Sequence, residues 1–128
     1  MGLSGRSMLR PTAIARLVMK VIKISTALKN LKNLSDEIRY ADCFADKQFT
    51  AGLIAFRPTK TSNPKQINHA DKDVVCHVIK GSGRLRVKRK SIPLKPGTVC
   101  HIPKGTAHDF TAGKSGELVL FYSLIRTA

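Results

Sequence analysis

The chain has 128 residues and a formal net charge of +15, enough for one domain around one core, and no apolar run approaches the ~20 residues of a membrane helix. Tryptophan is absent and aromatic residues make up 5%, so the core must rest on Val, Ile, Leu and Phe. Cys43, Cys76 and Cys100 are odd in number and at no zinc-ribbon spacing, which favours free thiols in a reducing compartment, by default the cytoplasm.

The first eighteen residues carry Arg and Ser but no acid, a superficial likeness to an organelle transit peptide. Arg16, Lys20 and Lys23 interrupt any secretory apolar segment, and Arg6 stands where myristoylation needs Ser or Thr. The plainer expectation is a flexible tail, or a true start at Met8 or Met19, with a short edge strand around residues 21–25. Residues 1–34 are therefore set apart as a basic, mostly irregular extension, and residues 35–128 as the folded domain. Only residues 27–40 look helical, and the pattern becomes β-like from about Ser35.

Phe49–Phe56 predicts a strand ended by Arg57-Pro58, followed by a loop over residues 60–66. Residues 74–79 form a near-continuous apolar strand that Gly81-Ser-Gly83 stops. Residues 84–88 alternate strictly, with Leu85 and Val87 inward and the charges outward. Residues 88–91 are the expected hairpin tip, although the Asn-Gly or Asp-Gly that such turns prefer is missing. Ile92 and Leu94 lead into a Pro96-Gly97 turn, and strands follow at residues 99–102, 108–111 and 118–125. Many short strands with Gly/Pro turns argue an all-β barrel or sandwich. The last strand is apolar on both faces, so a second sheet or a partner chain is expected to cover its outer side.

Charge is unevenly spread. Seven of the 23 Lys and Arg residues fall within residues 1–33, which hold no acid, leaving 16 against all 8 acids in the rest. Lys80, Arg84, Arg86, Lys88, Arg89, Lys90 and Lys95 then crowd into sixteen residues without an acid. A solvated hairpin face that resists edge-to-edge pairing is the simpler reading. Nucleic-acid modules interleave aromatics for stacking, and none occurs between Lys80 and Lys95, so a nucleic-acid partner is disfavoured.

The densest pattern is Gly97, five residues, Pro103, one residue, Gly105, two residues, His108. Gly97 permits a tight turn into a strand. Pro103 has no N–H to give to a ladder and ends it, and Gly105 lets the chain reverse. His108 then opens the next strand. This spacing resembles the second motif of the cupin superfamily, and the likeness extends over roughly residues 49–125. It implies a double-stranded β-helix, a cupin or jelly-roll barrel, with His108 pointing inward as a metal ligand. The optional Asn four positions beyond that histidine is Ala112 here.

The first cupin motif is matched more loosely. His69 fits its first histidine, Asp71 takes the second histidine's place, and the glutamate's place falls on Val74 ahead of Gly81. The resemblance thus implies a divalent metal (iron, manganese, nickel or zinc) at His69, Asp71 and His108. Two histidines and a carboxylate make a facial triad with open positions. Cys76 shares a face with Val74 and is the candidate fourth ligand, against its reading as a small core residue. His77 falls on the opposite face as a packed or interface histidine.

Phe110 shares a face with His108 and should line the barrel. Arg57 is a candidate fork for an anionic substrate group, and Tyr122 a candidate hydroxyl donor on a strand of ambiguous register. Cupins commonly dimerise, and a homodimer is expected. The functional expectation is a small-molecule-binding cupin with metal-assisted chemistry at that site. A metal-free ligand-binding or sensor cupin is the alternative, a basic nucleic-acid-binding protein ranks third, and whether the chain is an enzyme stays open.

Overall fold

A computed structural model describes residues 19–58 and 69–127. The tail expected over the first eighteen residues and the loop at 60–66 lie outside them. One short helix, α1 (Ile24–Leu28), precedes strands β1 (Lys32–Asn33), β2 (Ile38–Ala45), β3 (Phe49–Phe56), β4 (Lys72–Lys80), β5 (Gly83–Val87), β6 (Lys90–Leu94), β7 (Val99–Ile102), β8 (His108–Ala112) and β9 (Leu118–Arg126). They form a larger sheet in the order β1-β2-β3-β9-β4-β7 and a smaller one in the order β6-β5-β8. Every ladder is antiparallel.

The two sheets face one another because each strand alternates. Phe56, Val74, Cys76, Val78, Leu118 and Leu120 of the larger sheet pack with Leu85, Leu94 and Phe110 around the smaller one. Turn chemistry sets the joins. Gly97 has φ 92°, and its N–H donates to the Val78 carbonyl at 2.9 Å while Val78 donates to Thr98 at 2.8 Å. A side chain at Gly97 would meet nothing within 4 Å, so dihedral angle rather than space selects glycine there. Val87 pairs with Lys90, which narrows the hairpin tip expected at residues 88–91 to Lys88 and Arg89.

Two expectations need correcting. The stretch around residues 21–25 is not a strand, since Ile24–Leu28 is helical, and residues 27–40 are not helical beyond Leu28, with β1 and the start of β2 falling within them. Ile38, Tyr40 and Asp42 oppose Phe56, Ile54 and Gly52, and this pairing overrides a weak local preference. The outer face of β9 is covered within the chain at its Val119 end, while Ile125 at the other end is 38% exposed. Ala27, Leu28 and Leu31 pack onto the cluster of Leu53, Ala55 and Val119, so the helical segment covers it. His77 stands exposed on that outer side of the sheet, opposite Phe121.

Candidate functional site

Strand register gathers the polar groups of the inner face. Asp42 of β2 opposes Gly52 of β3, Gly52 opposes Tyr122 of β9, Tyr122 opposes Cys76 of β4, and Cys76 opposes Cys100 of β7. One row therefore crosses five strands. The glycine in its middle decides what the row does. A Cβ at Gly52 would stand 3.1 Å from the Tyr122 hydroxyl and 2.2 Å from the Ala41 carbonyl oxygen. Without it the phenol lies over β3 and donates to Asp42 Oδ1 at 3.1 Å. Burial, then the Asp42 charge and its hydrogen bond, hold the Tyr122 phenol well above its ordinary range.

The row on one side of it is apolar, with Ile54 and Leu120 beneath Tyr40. Tyr40, Ile54 and Leu120, with Asp42, Tyr122 and Cys76 of the polar row, floor a cavity of about 430 Å³. Ile38, Phe56, Val74 and Leu124 add apolar wall, Leu34 stands beside them, and His69, His108 and Phe110 complete the described lining.

The Gly97–His108 segment builds the imidazole part of the cavity. Gly105 donates its N–H to the His69 carbonyl at 2.8 Å, which ties the two motifs together through the backbone. His108 is buried, and its Nδ1 lies 2.9 Å from the Thr106 carbonyl. A carbonyl only accepts, so Nδ1 carries the proton and the tautomer this contact selects has its acceptor lone pair on Nε2. The His69 and His108 rings are 6.5 Å apart between centroids. Phe110 meets His108 edge-on at 5.6 Å and Phe56 at 5.2 Å. Burial, then the neighbouring His108 and Lys72, hold the His69 imidazole below its ordinary value.

The other residues singled out from the sequence are placed as follows. Cys76 lines the cavity, and burial followed by the facing Cys100 pushes its thiol up to about 12. Asp71 does not line it: its side chain is 63% exposed and lies 3.8 Å from Arg126. Arg57 also stays outside, 45% exposed, donating to the Asp36 carbonyl at 3.0 Å and lying 3.9 Å from Glu117. Glu117 itself receives a bidentate fork from Arg39. Among the described residues, no three His, Cys, Asp or Glu side chains stand close enough together to hold an ion.

Two sheets enclosing a cavity, with a histidine opening β8 behind a Gly-Pro-Gly spacing, define the architecture, and residues 52–124 match the cupin domain family. The chain belongs to the cupins. No curated protein matches it. It is similar to the TT1209 structure from Thermus thermophilus, with 20% identity over 84% of this chain and 98% of that one, at a TM-score of 0.68. The cupin domain of Schizosaccharomyces pombe Cnp3 is 17% identical over 77% of this chain and 69% of that one, at 0.66. KdgF from Halomonas sp. is 18% identical over 76% and 88%, at 0.64. At these identities the likeness is one of fold.

Within this cupin, sequence reasoning missed Asp42, Tyr40 and Gly52. The signal for Asp42 and Tyr40 was the alternation Ile38, Tyr40, Asp42, which puts all three on one face of a strand. Gly52 inside an apolar strand was a signal of close approach. No helix among the described residues is long and apolar enough to cross a membrane.

Proposed function

We propose that this cupin binds a small, mostly apolar molecule, neutral or cationic, whose polar groups are hydrogen-bond donors. The observation that carries this is the cavity lining: among the described residues it contains one carboxylate and no Lys or Arg. An anion buried among these described residues would meet no compensating charge, which is costly. Tyr122 spends its proton on Asp42, whose remaining lone pairs can accept, and His108 offers an acceptor at Nε2. A ligand hydroxyl or amine satisfies both. Arg57, outside the lining, is in this reading a structural partner of Glu117 and Asp36 rather than a substrate fork.

A divalent metal at His69, Asp71 and His108 is the second reading, supported by the two imidazoles that share the cavity. As placed, the residues do not make a three-ligand centre, because Asp71 would have to leave Arg126 and turn inward. Two ligands alone hold a divalent ion weakly. Untagged protein titrated with Mn²⁺, Fe²⁺, Ni²⁺ or Zn²⁺ should show no stoichiometric ion that His108→Ala abolishes; finding one would replace the first reading with the second.

The ligand reading is tested with N-phenyl-1-naphthylamine, a neutral apolar fluorophore with one N–H. Its fluorescence should rise saturably in the wild type and fail to rise in Ile54→Trp, which fills the cavity floor. A wild type that gives no saturable rise, or a folded Ile54→Trp that binds equally well, overturns the proposal. Three free cysteines suit the reducing cytoplasm. The homodimer is assigned to the free edge at β7, where Val99 is 65% exposed. Light scattering of the wild type and Val99→Glu checks it.

A further inference from the structure

We propose a second binding site, distinct from the barrel, for a compact phosphate group of a small molecule carrying at least two negative charges. It is a cleft of about 360 Å³ lined by Arg86, Lys88, Arg89, Lys90, Ser91 and Asp109. Strand alternation puts Leu85 into the core and Arg86 on the opposite face. The two-residue turn then brings Lys88 and Arg89 round to the same cleft, and β6 begins with Lys90 and Ser91.

Three features make this more than a solvated face. The first is that Arg86 is held in place. Its Nε and Nη2 donate to Asp109 Oδ1 and Oδ2 at 2.8 and 3.1 Å. Asp109 opposes Arg86 across the β5–β8 ladder and is buried, 3% exposed. A two-pronged contact to a buried carboxylate fixes the guanidinium plane, and the remaining N–H groups of the fork stay available to a second oxyanion. That carboxylate is the one acid in the cleft, and Arg86 balances it, so Lys88, Arg89 and Lys90 supply unbalanced positive charge.

The second feature is backbone conformation. Lys88 has φ 55°, the one described non-glycine residue at positive φ. Glycine or asparagine takes that conformation at lower cost, and a two-residue hairpin turn ordinarily uses them. A lysine kept at such a position is accounted for by its charge. The third is Ser91, whose hydroxyl oxygen accepts from Arg84 Nε at 2.5 Å, leaving its own O–H to donate.

The same features select the ligand. Guanidinium, ammonium and hydroxyl donors around one cleft match the tetrahedral oxygens of a phosphate. No aromatic side chain lines the cleft, so nothing there stacks a base, as single-stranded nucleic acid requires. Convergence on one cleft, instead of a stripe along the barrel, favours a compact multiply charged group over an extended backbone.

The experiment is a titration of the full chain with inorganic pyrophosphate at constant ionic strength, followed by amide NMR shifts and calorimetry. Saturable one-to-one binding is expected, with shifts centred on residues 86–91. Lys88→Gly relieves the positive φ, so it should keep or raise the melting temperature by a few degrees. It should also weaken pyrophosphate by about two- to fivefold, the range for losing one exposed ion pair. Lys88→Gly/Lys90→Ser should weaken it further. Absence of saturable shifts at 86–91, or a Lys88→Gly protein that binds like the wild type, overturns the proposal. So does a dT10 oligonucleotide that binds this face and is not displaced by pyrophosphate, since the site would then serve an extended polyanion.

Discussion

Gly52→Ala separates the account of the inner polar row from a generic picture of an apolar barrel. The added methyl would lie 2.2 Å from the Ala41 carbonyl oxygen, against the 3.0 Å below which such contacts essentially do not occur. Strand β2 must therefore move away from β3 by about 1 Å, right where Asp42 and Gly52 face each other. Overpacking of this kind costs about 1–3 kcal/mol. The Tyr122 hydroxyl, 3.1 Å from the new carbon, is displaced from Asp42, and a lost hydrogen bond adds about 0.5–1.5 kcal/mol. Lower chain entropy in the unfolded state returns about 0.4–1 kcal/mol. The net is a destabilisation of about 0.5–4 kcal/mol, centred near 2, read from urea unfolding monitored by circular dichroism. The naphthylamine fluorophore should also bind less well to the variant under conditions where it is still folded. A variant within 0.5 kcal/mol of wild type, with unaltered ligand binding, would refute the idea that Gly52 exists to let two strands and one phenol meet.

Three further outcomes follow from the same contacts. Leu28→Ser removes a half-buried side chain from the cluster of Leu53, Ala55 and Val119; it should lower stability by about 1–2 kcal/mol in urea, whereas a neutral result would mean that α1 does not cover the sheet. The folded His69 imidazole is held below its ordinary 6.5 by burial first, so the unfolded chain binds more protons. Its contribution is present above that pH and is lost as pH falls through the folded value. The urea midpoint should therefore drop less between pH 7.5 and 5 in His69→Gln than in the wild type. Tyr122 has the opposite sign: its phenol is raised above its ordinary 10.0 by burial first. Stability linked to it is complete below pH 10 and declines as pH rises toward the folded value, and Tyr122→Phe should flatten that alkaline decline.

Much of the barrel was legible because its strands obey a period of two and its turns need particular residues. Gly97, Pro103 and Gly105 act locally, through dihedral angles and a missing N–H, so sequence spacing sufficed to place β7, β8 and the buried His108. The strict alternation of residues 84–88 likewise predicted Leu85 in the core. Residues 27–40 were misread because β2 is held by its partner: Ile38 and Tyr40 find their face only when β3 lies beside them, and local composition does not report that pairing. The Asp42–Tyr122 contact depends on register across β2, β3 and β9, a nonlocal property in which a one-residue slip would reverse every side chain. Asp71 shows the converse limit. The cupin resemblance put it in the second histidine's place near His69; the structure sets Arg126 at the end of β9 3.8 Å from it, a neighbour that sequence proximity does not reveal.

Alternation also explains how one strongly basic chain can keep cations out of the described lining of its cavity. On β5, Leu85 and Val87 face the core while Arg86 takes the opposite face, and the chain then turns back at Lys88-Arg89. The two faces of this hairpin therefore meet different chemistry: an apolar interior shared with Phe110, and a cleft of guanidinium and ammonium groups. An anion at the outer cleft meets Arg86, Lys88, Arg89 and Lys90, whereas the described lining of the barrel interior offers Asp42 and no Lys or Arg. Pyrophosphate and the neutral naphthylamine should consequently bind without competing, each unaffected by saturation with the other. Mutual displacement would show that the two sites are one, and that the separation argued from strand alternation does not hold.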